Sequence, residues 1–180
     1  MNEGTGLNTT PLVHARTGPI LYLRNQVIAN IVINFVLNGL IAFFSFRNRA
    51  NVPVTEMAVD SLITVLIISY LVAWIAIPTV RREIANDKIE LTDQNPIVVW
   101  RLRLPENSAL RAGLIMLLVV PVFGGVLLSG AYCLLVPSGM TGSGYFILKA
   151  VYAGVCAGLA AAAAITSVFA DVTLNSKTLA

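Results

Sequence analysis

Ser61–Val80 runs for twenty residues without one charged side chain, and three other blocks of this chain come close to the same pattern. Val27–Phe46 is interrupted mainly by asparagines. Ala112–Val136 carries no charge, and Ala150–Ala170 is bounded by Lys149 and Asp171. Crossing about 30 Å of hydrocarbon takes roughly 20 apolar residues at 1.5 Å rise each, and all four blocks reach that length. Only 12% of the 180 residues are charged, about half the share usual in a soluble domain. The chain therefore reads as all-α, a transmembrane bundle of four helices with spans at about 25–46, 60–81, 111–136 and 148–170. Residues 1–24 form an N-terminal tail, 25–171 one transmembrane domain, 82–110 its longest loop, and 172–180 a C-terminal tail.

An even number of spans places both termini and the 82–110 loop on one side. That side carries Arg16, Arg24, Arg81, Arg82, Lys88, Arg101, Arg103, Arg111 and Lys177, whereas the opposite side has only Arg47, Arg49 and Lys149. Cations near helix ends accumulate on the cytoplasmic face, so both termini are expected in the cytoplasm. The net charge of +3 follows from this asymmetry and calls for no nucleic-acid partner. The first twenty residues lack the apolar core of a cleavable signal. Trp74, Trp100, Tyr132 and Tyr145 fall near the expected membrane boundaries, where amphipathic rings collect.

Within the long loop, PIVVWRLRLP alternates apolar and basic residues and reads as an extended or surface-lying anchor. Asn107 or Ser108 offers a helix cap, and Arg111 is expected to snorkel at the membrane edge. PSGMTGSG is a tight turn between antiparallel neighbours. Pro78 and Pro121 lie inside spans, where a proline kinks the helix or frees a carbonyl.

Three constellations carry polar or packing chemistry. Asn30, Asn34 and Asn38 repeat every fourth residue, which places them on one stripe about 12 Å long. Hydrocarbon offers an amide no partner, so the stripe should face other helices or a wet cavity. Depth matching pairs Asn38 with Ser69 and Ser129 in a polar layer in the outer half of the bundle.

The second constellation is Asp60, with Thr64 one turn further in, and Lys149 at a similar depth on span four. It reads as an ion pair between spans two and four, as a binding or proton-linked site open to the outside, or as two side chains that snorkel separately. The third is a set of small residues: Gly124 and Gly125 in span three, Gly154 and Gly158 in span four. These permit close helix approach, either between spans three and four of one chain or between two copies.

Catalytic chemistry lacks its usual parts. The single histidine, His14, is in the tail, and no HExxH, CxxC or paired carboxylate falls in a span. Cys133 and Cys156 sit at different depths and read as apolar fillers. No cofactor or metal is expected.

The stretches NFVLNGLIAFFSFR and NVPV, then Asp60 with Thr64, then IPTVRR and LRLPENSALRAGL, resemble an uncharacterised group of bacterial four-span membrane proteins with an Asn-rich first span. The resemblance implies a bacterial inner-membrane location and brings no activity with it. The expected role is that of an accessory or structural subunit working through helix–helix contacts, with itself or in a larger complex. The alternative is a small transporter, or a lipid- or small-molecule-binding protein using a polar site between spans 1, 2 and 4.

Overall fold

A computed structural model describes residues 17–91, 104–120, 136 and 138–178. They form four helices: α1 (Pro19–Phe46), α2 (Val54–Ala85), α3 (Ser108–Val120) and α4 (Gly142–Thr178). No strand occurs among the described residues. Helices α1, α2 and α4 are each long and apolar enough to cross a membrane; α3, over its described residues, is shorter. Residues 121–135 of the expected third span, the start of the N-terminal tail and most of PIVVWRLRLP lie outside the described residues.

All four helices start earlier than the apolar blocks predict, and local chemistry explains each start. Pro19 opens α1, where its fixed φ is already helical and its missing N–H costs nothing. Pro53, in extended conformation, precedes α2, and Glu56 in the first turn complements the helix dipole. Asn107 caps α3 through Oδ1, which accepts from the backbone N–H groups of Ala109 (2.9 Å) and Leu110 (3.2 Å). Thr141 caps α4 by accepting from the Gly144 N–H at 3.3 Å. Helix α2 continues through Pro78 to Ala85 and closes in a Schellman-type turn. Lys88 N–H donates to the Glu83 carbonyl and Asp87, with φ of 56°, donates to that of Ile84.

Helix α4 is the hub. In its most apolar window 78% of residues are buried, against 44% in α2 and only 6% in α1. Its alanine-rich face, with Ala153, Ala157, Ala160, Ala161 and Ala164 all buried, lets neighbours approach closely. Helix α1 packs almost wholly on α4, whereas α2 packs on both α4 and α3.

The α1–α4 seam is two rows of residues spaced by four, running antiparallel. A Cβ on Gly39 would sit 3.1 Å from Ala150 Cβ, and one on Gly154 would meet the Ile31 carbonyl at 3.0 Å and Phe35 Cβ at 3.3 Å. At Gly158 it would lie 2.6 Å from Ile31 Cγ1. Gly154 and Gly158 therefore receive α1, a neighbour that the sequence reading named for neither glycine. Gly124 and Gly125 lie outside the described residues.

Each end of the bundle is tied across the chain. At one, here called the tail end, Thr17 N–H donates to the Lys88 carbonyl (2.9 Å) and Glu90 N–H to that of Thr17 (3.2 Å). At the other, the hairpin end, Val52 and Met140 exchange backbone hydrogen bonds of 2.8 and 3.2 Å. Two glycines are obligatory there. Gly139 has φ of 86°, and a Cβ on Gly142 would collide with the Phe46 carbonyl at 1.8 Å.

Candidate functional site

Asn30, Asn34 and Asn38 occupy the row of α1 next to the seam row Ile31–Phe35–Gly39, about 100° around the helix. Each amide turns back on its own helix. Asn30 Nδ2 donates to the Gln26 carbonyl (2.9 Å), Asn34 to that of Asn30 (3.0 Å) and Asn38 to that of Asn34 (3.0 Å). An i−4 bond of this kind satisfies one of the two amide N–H groups and leaves the other and the carbonyl oxygen available. This is how α1 carries three amides on one stripe without a neighbouring helix to answer each.

Part of that stripe borders a cleft of about 320 Å³ between α1 and α2. Tyr22, Gln26, Asn30 and Asn34 supply its polar wall from α1, with Thr79 opposite on α2. Leu71, Val72, Ile75 and Ala76 form the apolar wall, and Ile165 of α4 closes the floor. The cleft exists because α1 and α2 both lean on α4 and scarcely on each other.

This placement corrects two expectations. The cleft lies in the tail-end half, and neither Asn38 nor Asp60 lines it. Nor do Asn38 and Ser69 bond each other: Ser69, fully buried, donates to the Val65 carbonyl of its own helix at 2.5 Å. Ser129, the third member of the expected layer, is outside the described residues.

At the hairpin end Asp60 and Lys149 meet. Lys149 Nζ donates to Asp60 Oδ2 at 2.6 Å, joining α2 to α4. The Lys149 side chain is 6% exposed and that of Asp60 30%, so the carboxylate keeps a route outward while the ammonium does not. Tyr145, placed by sequence at the membrane boundary, is instead fully buried. Its hydroxyl lies 2.5 Å from Asp60 Oδ2, 3.2 Å from the Met57 carbonyl and 3.3 Å from Ser61 Oγ. Its ring stands edge-on to Phe46, centroids 4.9 Å apart, and Lys149 Nζ lies 6.0 Å from the Phe46 ring centre. Thr64 is buried one turn along α2 and takes no part in these bonds.

A second clasp closes the tail end, and it corrects the reading of Arg111 as a snorkelling side chain. Arg111 is fully buried. Its guanidinium donates to Asp171 at 2.6 Å and to the carbonyls of Ser167 (3.3 Å), Pro105 (2.9 Å) and Leu104 (3.1 Å). Arg81 stands 3.9 Å from the same Asp171 carboxylate and donates to the Glu106 carbonyl at 2.6 Å. Asp171 thus gathers α2, α3 and α4. Its only sequence signal was its position as the first charge beyond span four.

Among the described residues no group of three or more His, Cys, Asp or Glu is placed to hold a metal. Cys156 is buried and free. No family model, curated protein or solved structure matches the chain.

Proposed function

We propose that this chain is a multi-pass protein of the bacterial inner membrane, both termini cytoplasmic, that acts by association and not by catalysis. In this reading it is an accessory subunit, of a larger membrane complex or of its own oligomer. The observation that carries it is the state of α1. This helix is fastened along a single seam to α4, and Ile28, Val32, Val36, Leu40 and Ile41 stay about half exposed along its length. Such a face meets either acyl chains or a partner helix, and close-packed helix contacts supply much of the association energy in lipid.

Purification in native-lipid discs tests the proposal. A second polypeptide, or a second copy of the chain, is expected in fixed ratio, and Leu40→Trp with Ile41→Trp should release it. A lone chain in every disc overturns the accessory role.

The cleft supports a second reading, a membrane protein that binds a lipid or small molecule between α1 and α2. Its volume of about 320 Å³ lies at the lower end of ligand-site sizes, and it pairs an apolar wall with a few convergent polar groups. Binding there is independent of whether α1 also meets a partner on its outer face.

A further inference from the structure

We infer that the α1–α2 cleft binds an uncharged, hydroxyl- or ester-bearing lipid of the acylglycerol type, taken directly from the bilayer. The inference rests on the second reading above and specifies its ligand.

Charge comes first. Every polar side chain lining the cleft is neutral: Tyr22, Gln26, Asn30, Asn34 and Thr79. A phosphate or carboxylate brought here would shed its hydration with no counter-charge among the lining side chains and with the Glu83 carboxylate acting on Tyr22, a cost that amides and hydroxyls alone repay poorly. A neutral oxygen costs far less and finds both donors and acceptors. Among the described residues, the Asn30 and Asn34 side-chain oxygens accept no hydrogen bond, and each Nδ2 spends only one N–H on its own helix.

Shape and access come next. Gln26, Asn30 and Asn34 follow one another at about 6 Å intervals along α1, a polar row about 12 Å long facing the apolar side chains of Leu71, Val72, Ile75 and Ala76, with Thr79 beyond them on α2. That arrangement suits a molecule with several oxygens on one edge and hydrocarbon on the other. The rim is made of Ile33, Leu37, Leu71 and Ile75, all more than 40% exposed. An apolar mouth on two membrane-spanning helices opens sideways into lipid, so the ligand enters from the bilayer and not from water.

The test uses the full-length protein in phosphatidylethanolamine–phosphatidylglycerol vesicles, doped with either of two photoactivatable probes bearing the same chains. One is a diacylglycerol, the other a phosphatidylglycerol. Adducts are mapped by mass spectrometry on the α1 and α2 segments of the cleft and on Phe44, an exposed control. The diacylglycerol should label the cleft in preference to Phe44, and Asn30→Leu with Asn34→Leu should reduce that labelling about sevenfold, as expected for two membrane hydrogen bonds. Ala76→Trp fills the cleft from α2 without touching the amides. It should abolish the labelling while gel filtration and circular dichroism report an unchanged fold, which covers the case in which the double asparagine variant fails to fold.

Equal labelling of the cleft by both probes overturns the neutral-lipid assignment and leaves cleft binding standing. Labelling no stronger than at Phe44 overturns both. With a photoreactive amino acid at position 34 in place of the lipid probes, chain-to-chain adducts that Ala76→Trp removes identify a second copy as the occupant and overturn the inference as well.

Discussion

Lys149 and Arg111 are both sealed inside the protein, whereas the carboxylates that pair with them, Asp60 and Asp171, are each 30% exposed, and this contrast predicts asymmetric costs. Asp60→Asn strands a buried ammonium, and breaking a buried pair in this way costs about 3–5 kcal/mol. Lys149→Met leaves a carboxylate that is 30% exposed and reaches solvent or headgroups, so its cost should be roughly 1–2 kcal/mol. The double change Asp60→Leu with Lys149→Met removes both charges and should recover most of the loss. Thermal unfolding of the detergent-solubilised protein, followed by gel filtration, ranks the three variants; Lys149→Met unfolding before Asp60→Asn contradicts the geometry. At the other clasp Asp171→Asn should be the worse change and Arg111→Met the milder, because Arg81 still stands beside Asp171 once Arg111 is gone. The same assay ranks that pair.

At the scale of the helix, the α1–α4 seam depends on three missing side chains, at Gly39, Gly154 and Gly158. A methyl at Gly158 would press on the Ile31 side chain at 2.6 Å, and overpacking of this kind costs about 1–3 kcal/mol. Gly158→Ala should loosen α1, and adding Ile31→Ala should restore the seam by clearing the space. With Cys133 and Cys156 replaced by alanine, cross-linking of cysteines placed at Gly39 and Ala150, which face each other across the seam, gives the readout; equal cross-linking in all three proteins would show that the seam does not depend on Gly158.

Much of this element-level architecture is legible in residue order. Block length alone announces the long helices, and matched depth announces Asp60 with Lys149. What receives Gly154 and Gly158 is not legible, because a small-residue row states that something packs closely without naming the neighbour. Arg111 was misread for a related reason: a cation at a span boundary looks like an interface residue until Asp171, far along the chain, is folded beside it. The asparagines mislead differently. A buried amide is assumed to need another helix, yet the i−4 carbonyl of its own helix satisfies part of it.

At the scale of the whole molecule, the two clasps lie near opposite ends of α4. Lys149 and Asp171 are 22 residues apart by number, about 33 Å along a helix and close to the hydrocarbon thickness. The bundle is thus pinned by charge where a membrane would meet its two surfaces, and held between them by small residues on α4. The proposed orientation predicts that alkaline phosphatase fused after Ala180 is inactive and that green fluorescent protein there fluoresces. Phosphatase inserted at Gly139 should be active, and the reverse pattern would invert the orientation.

The central claim is that the asparagine row of α1 faces a cleft open to lipid, and collision measurements on a spin label at position 34 test it most directly. In a variant with Cys133 and Cys156 replaced by alanine, the label at 34 should be relaxed by oxygen, which partitions into hydrocarbon. The response should lie between that of the exposed position Val36 and that of the buried position Ala157, and Ala76→Trp should suppress it. A label at 34 as silent as one at 157, with or without Ala76→Trp, would mean that the row is sealed within a packed interface and that there is no cleft.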